Sequence, residues 1–339
     1  MARAGASSFS RGIVAAALVA AYACSAGISI YLSRPFGTGA GLWTSAGFLA
    51  GIIILVQGPW RIGAAAACVL AHISFRAFSG DLGLQTFLGP LINLGEAILT
   101  GYLAVRFCGV RSRRLNLRAL ILILLGAIVP AAVLGGGVGA AVTAAFEGAD
   151  FLDRWRDWSI PQALGTASVL PALLLVPRAR QYREFRRSAA EVLGLLAGLA
   201  AVTGAVFIQD DLPLYFVVFP ALTLIAFRLG PPGAAVAGFM VAIIALPMTL
   251  LRHGPAMLAT GMDMVGRLHL TQVFVTAVLF TGLATAGALA DQARLRRLAL
   301  GRDRAARAAR VRARDAERLA GVGLHEVPQD LRERRVRSA

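Results

Sequence analysis

Ten mostly apolar runs recur along this sequence, and they limit its fold more than any other feature. They lie at about 12–32, 42–57, 60–78, 86–107, 117–145, 158–177, 189–208, 213–229, 231–251 and 268–290. A helix of roughly 20 apolar residues crosses the ~30 Å hydrocarbon core of a bilayer. With 57% hydrophobic and only 15% charged residues, the chain does not read as a soluble globule. The expected fold is an all-α, polytopic integral membrane helix bundle of 8–10 transmembrane segments with a cytoplasmic C-terminal helix. Several runs are short or meet at tight turns, Gln57-Gly58-Pro59 and Gly230-Pro231-Pro232-Gly233. Eight full spans with re-entrant pieces is therefore the alternative count. No clear tandem repeat is visible.

Charge sets the expected orientation. All 34 basic residues are arginine, so lysine-dependent phosphate loops, kinase nucleotide lysines and Schiff bases are excluded. Arginines cluster at 111–118, at 178–187 and after the tenth run, whereas the alternate loops carry Asp81, then Glu147, Asp150, Asp153 and Asp157, then Asp210 and Asp211. Arginine in every second loop predicts cytoplasmic termini and an even number of spans in a bacterial inner membrane. The same topology accounts for the net charge of +16, so nucleic acid is not an expected partner. Membrane lipids are.

Three parts are expected: a membrane-embedded domain at 12–290, a cytoplasmic helix at 291–327 and a disordered basic tail at 328–339. The tenth run continues without a Gly/Pro break into ADQARLRRLAL and then an Ala/Arg-rich stretch. Such a helix can carry a rotation or tilt out of the bilayer. Leu295, Ala299, Arg302, Ala306, Ala309, Ala313, Ala316 and Ala320 form a 3.5-residue seam of mostly small side chains. A homodimer through 291–320 and a basic helix lying on anionic headgroups are both open readings. The expected cytoplasmic output is absent from these residues or supplied in trans. At the other end, Ala21-Tyr22-Ala23 before Cys24 is a poor lipoprotein box, and an uncleaved first helix is expected.

Polar groups inside apolar runs need a reason, because charge in a bilayer is costly. Asn93 and Glu96 lie one turn apart on one helix face. They form either a polar pocket with a proton-linked switch or an interhelical hydrogen bond. Trp155, Trp158 and Gln162 open the sixth run, and Trp43 and Trp60 flank the second and third. Tryptophan there either anchors at the interface or gates a ligand. Arg228, beside Gly230, is expected to snorkel to the cytoplasmic surface. Candidate signal-sensing residues are thus Trp43, Asn93, Glu96, Trp155, Trp158, Gln162 and Arg228. Gly47–Gly51, Gly135–Gly139 and Gly194–Gly198 are small-residue pairs that permit close helix contact. Cys24, Cys68 and Cys108 read as small core residues. The four histidines lack metal-ligand spacing. No catalytic residue, metal or cofactor is expected.

LWTSAGFLAG (42–51), LVQGPWRIG (55–63), INLGEAILTGYLAVR (92–106), WRDWSIPQALGTASVLP (155–171), FPALTLIAFRLGPPGAA (219–235) and HGP (253–255) follow one another in a distinctive order. In that order and spacing the chain resembles the membrane-associated sensor domain of the first type, over about residues 15–295. The resemblance implies a bacterial multi-helix input domain of the kind that precedes histidine kinases and diguanylate cyclases, with its stimulus undefined. Where that family commonly has an acidic residue before the Leu-Gly of the sixth span, this chain has Gln162. A second stretch, Glu317-Arg318-Leu319-Ala320 and then Leu324-His325-Glu326-Val327-Pro328-Gln329, resembles a degenerate phosphoacceptor box of kinases related to the hexose-phosphate sensors. By that resemblance His325 is a candidate phosphoacceptor, with a histidine kinase or response regulator as partner, or else a solvated histidine in a decayed box.

A sensory input module without enzymatic activity of its own is the leading expectation, catalysis entering only if the chain is a fragment of a histidine kinase. A small-molecule permease is the second reading, which vesicle uptake would separate. A membrane scaffold recruiting a soluble kinase through 294–339 is the third.

Overall fold

A computed structural model describes residues 2–33, 41–80 and 82–325, with side chains placed for 11–32, 41–80 and 82–316. Asp81, the His325 side chain and the tail at 328–339 lie outside the described residues. The helices are α1 (Ala2–Ser33), α2 (Thr44–Leu55), α3 (Pro59–Phe78), α4 (Leu84–Arg106), α5 (Leu117–Ile123), α6 (Val129–Glu147), α7 (Phe151–Leu175), α8 (Ala189–Ile208), α9 (Val218–Leu250) and α10 (Met264–His325). Among the described residues there is no strand. Among the described residues eight helices are long and apolar enough to cross a membrane, and α2 is shorter. The protein is an all-α multi-pass membrane bundle.

Local sequence explains most boundaries. Asn116, Asp150 and Ser188 cap α5, α7 and α8, accepting hydrogen bonds from Ala119 N (2.8 Å), Asp153 N (3.0 Å) and Glu191 N (3.2 Å). A π-helical turn, Leu124–Ile128, joins α5 to α6 just before Pro130, whose missing N–H breaks the regular ladder. The fifth apolar run is thus one span, Leu117–Glu147.

The Arg-rich loops meet at one end of the bundle. Arg178 donates to Val110 O at 2.8 Å, Arg114 to Ala290 O at 2.7 Å, and Tyr182 Oη to Leu115 O at 2.8 Å. Arg114 also pairs with Glu184. Cys108, under this cap, donates to Leu122 O at 3.1 Å, and burial pushes its thiol pKa up. The acidic loops lie at the opposite end, where Asp210 accepts from Gly254 N at 2.7 Å and Asp150 opens α7.

Although no clear tandem repeat is visible in the sequence, the structure uses one hairpin turn twice. Gly58 (φ 66°, ψ −151°) and Gly230 (φ 62°, ψ −158°) adopt nearly the same backbone conformation, one essentially confined to glycine, and each is followed by proline. Gly230 interrupts α9. Arg228, just before it, pairs with Glu191 at the start of α8, while Asp210, just past the end of α8, bonds Gly254, just past the end of α9. The two arms of α9, 218–229 and 231–250, therefore run antiparallel. The same logic folds α2 against α3: a Cβ on Gly12 would meet Trp60, one on Gly27 would meet Phe75, and Ser29 Oγ donates to Leu42 O at 3.1 Å. With the α9 arms taken separately, all ten apolar runs are helices. The descending arms span about 18 Å at 1.5 Å per residue, well short of a bilayer core.

In lipid, close packing replaces hydrophobic burial as the force between helices. Cβ atoms on Gly47 and Gly51 would lie 2.5 Å from Val169 and Leu173, and one on Gly165 would lie 2.1 Å from Trp43 O, so α2 and α7 approach backbone to backbone. Gly194 and Gly198 depart from expectation, since a Cβ at either meets nothing within 4 Å. Two compact units divide the chain, Met1–Ala290 and Asp291–Ala339. In the second, described side chains from Arg294 to Ala316 are all exposed.

Candidate functional site

Five helix termini converge at the acidic end around a polar cavity of about 400 Å³. Helical spacing brings each wall to it. Gln85, Gly89 and Asn93 stack along α4, Thr143 and Glu147 along α6, and Arg154, Asp157, Trp158, Pro161 and Gln162 along α7. His72 and Arg76 come from the last turns of α3, and Trp43 stands before α2.

Hydrogen bonds hold these walls in place. Gln162 Nε2 donates to Asn93 Oδ1 across α7 and α4 at the floor. Gln85 Nε2 donates to Thr143 Oγ1 at 2.7 Å, which itself donates to Gly139 O at 2.7 Å. Trp43 lies 5.2 Å, centroid to centroid, from His72, whose Nδ1 meets Tyr22 Oη at 3.3 Å. The Trp158 indole packs against glycine: a Cβ on Gly139 would come within 2.7 Å of the ring, and one on Gly89 would lie 3.8 Å from its Cη2.

Glu96 lies one turn further along α4, 6% exposed. It packs on α6 so closely that a Cβ on Gly135 would be 2.1 Å from the carboxyl. The Trp158 N–H points toward that carboxyl without completing a hydrogen bond. Glu96 Oε1 and Gln162 Oε1 are both buried without partners, and both border a void of about 10 Å³ shared with Thr100 and Thr166. That is about the volume one water needs. Trp158 and Gln162 thus touch the cavity on one side and the Glu96 environment on the other. A molecule in the cavity can act on the α4–α6 contact through them.

The MASE1 family description matches residues 13–294, most of the chain. The chain belongs to the MASE1 family. MASE1 is a membrane sensor input domain of signalling proteins, not a catalytic one. No curated protein and no solved structure matches the chain significantly.

Of the residues singled out from sequence, this MASE1 domain brings Trp43, Asn93, Trp158 and Gln162 to the cavity, with Glu96 directly beneath. Two are not brought there. Trp155 donates to Val133 O at 3.0 Å on the α6–α7 surface, and Arg228 sits half-exposed at the basic end, paired with Glu191. Trp60 is half-exposed near Gly12. Sequence reading missed His72, Arg76, Gln85, Thr143, Glu147, Arg154 and Asp157. The Gln85-Gly89-Asn93 stripe, spaced by four residues, was the one signal that pointed to them.

Proposed function

We propose that this MASE1 domain senses a stimulus in the Trp43/Asn93/Trp158/Gln162 cavity and passes it through α10 to a cytoplasmic output. The output is of the histidine-kinase or diguanylate-cyclase type, on this polypeptide or supplied in trans. The observation that carries the reading is that one amide pair, Gln162–Asn93, forms the cavity floor while Gln162 also borders Glu96. A switch needs two packings within a few kcal/mol, one of which the stimulus binds better. In this protein the two packings differ in how Glu96 seats against Gly135. The arginine distribution supports an orientation with the basic end and both termini in the cytoplasm of a bacterial inner membrane and the cavity facing outward.

A chimera carrying this domain ahead of a reporting cyclase tests the reading. Asn93→Ala, Glu96→Gln and Gln162→Leu are each expected to shift basal output or abolish its response. If all three variants signal as the parent does, the polar floor is structural only. Cysteines placed at Arg113 and Arg180 are expected to resist an impermeant reagent applied from outside. Labelling there reverses the topology.

A further inference from the structure

We infer that the cavity binds a small zwitterion, a molecule with a carboxylate and a cationic nitrogen on one short frame. This rests on the cavity being the stimulus site. Among the described residues its lining carries two charges of each sign, Arg76 and Arg154 against Glu147 and Asp157. A singly charged ligand would meet repulsion along with attraction there, whereas a zwitterion meets a partner for each end. Arg154 and Glu147 are exposed, so they reach a ligand without the desolvation cost of a buried pair.

Below the rim the chemistry changes. The indoles of Trp43 and Trp158 form the walls, and tryptophan faces attract a cationic nitrogen, the more so when it is shielded from water. The floor is uncharged: the Gln162–Asn93 amide pair, with Gln162 4% exposed. A cationic nitrogen therefore rests beside the indoles, above an uncharged floor, while the carboxylate turns to the arginines. The size agrees, since about 400 Å³ is at the small end of ligand cavities, which run from about 300 to 1,000 Å³.

Calorimetric titration of the full chain in lipid nanodiscs tests this with five probes. Glycine betaine and L-alanine are zwitterions with a quaternary and a primary ammonium, choline lacks the carboxylate, 3,3-dimethylbutyrate lacks the nitrogen, and glucose is neutral. At least one zwitterion is expected to bind at least tenfold more tightly than the three controls. Which zwitterion binds identifies the ammonium type, and either supports the proposal. Arg154→Gln, on an exposed position that does not threaten folding, is expected to weaken binding roughly tenfold by removing one charge-assisted contact. Equal binding of choline, 3,3-dimethylbutyrate or glucose overturns the zwitterion, as does an absence of binding by both zwitterions. In that event a chimera still altered by Gln162→Leu keeps the cavity as the stimulus site. A chimera indifferent to Gln162→Leu removes the site itself.

Discussion

The α2–α3 hairpin and the hairpin within α9 share a backbone device and differ in what they place at the acidic end. In the first, Trp43 rests on His72 beside an open polar cavity. In the second, Tyr215 stands as far in sequence from Gly230 as Trp43 does from Gly58. Its ring is 4.8 Å from Phe274 and 5.8 Å from Phe207, and Phe219 stacks edge-on against Phe274 at 6.0 Å. Aromatic packing fills the space that the first hairpin leaves to solvent. Two hairpins with the same turn conformation thus differ, one flanking an open cavity and one bracing the bundle. The bracing hairpin packs directly against α10, the helix that leaves the membrane.

Truncating the aromatic plug is the hardest test of that contrast. Phe207 is fully buried, so Phe207→Ala is expected to cost about 3–5 kcal/mol. Trp43→Ala, at a partly exposed position, is expected to cost ~1 kcal/mol while changing signal output. Thermal unfolding in nanodiscs alongside the chimera assay reads both. Equal destabilisation by the two variants would mean that both hairpins are braces.

The turn glycines come next. A Cβ on Gly58 meets nothing within 4 Å, so Gly58→Ala carries only backbone strain, about 1–3 kcal/mol. At Gly230 the Cβ would lie 2.5 Å from the Phe185 ring. Gly230→Ala adds overpacking of roughly 1–3 kcal/mol to the same strain. Unfolding midpoints should rank wild type, then Gly58→Ala, then Gly230→Ala. The reverse order would show that the second turn is the freer of the two.

These glycines also mark what the sequence could and could not reveal. The ten helices and both turns were legible because hydropathy and Gly-Pro are local signals. The repeat was not, because Trp43/Tyr215 and Thr44/Phe216 share position without chemistry; what recurs is the conformation at Gly58 and Gly230. Asn93, Trp158 and Gln162 stood out as polar or interfacial residues in apolar runs. Arg76, Arg154 and Glu147 did not, since charged residues at helix ends are ordinary there. Only tertiary structure brings those ends together. Arg228 stood out for the same reason as Asn93, yet its partner, Glu191, opens a helix at the opposite end of the bundle.

The cavity floor permits a cleaner separation of stability from signalling. Gln162→Leu strands Asn93 Oδ1 and is expected to cost about 1–3 kcal/mol. Adding Asn93→Leu removes the stranded partner as well and is expected to recover most of that loss, because replacing both partners with apolar groups is nearly neutral. The double variant should fold well and fail to respond. If its response returns along with its stability, the amide pair is scaffold.

The smallest expected effect concerns the glycine pairs, which the sequence treats alike. Gly47 and Gly51 let α2 press on α7; alanine at Gly47 pushes against Val169 Cβ and the Gly165 backbone, while alanine at Gly51 has only the Leu173 side-chain tip to displace. Gly194 and Gly198 on α8 face open space, so Gly194→Ala and Gly198→Ala have no intramolecular clash to create. Surface substitutions of that kind usually stay within about 0.5 kcal/mol, and the better helix propensity of alanine offsets part of any loss. The double variant should therefore unfold at the wild-type midpoint and signal normally. A measurable loss of stability, together with a change in apparent mass in nanodiscs or detergent, would instead mean that the open face of α8 packs against a second copy of the chain. The bracing half would then also be the dimerising half. The contrast between the two hairpins would extend to assembly, with the first keeping its close glycine contacts inside the chain and the second directing them outward.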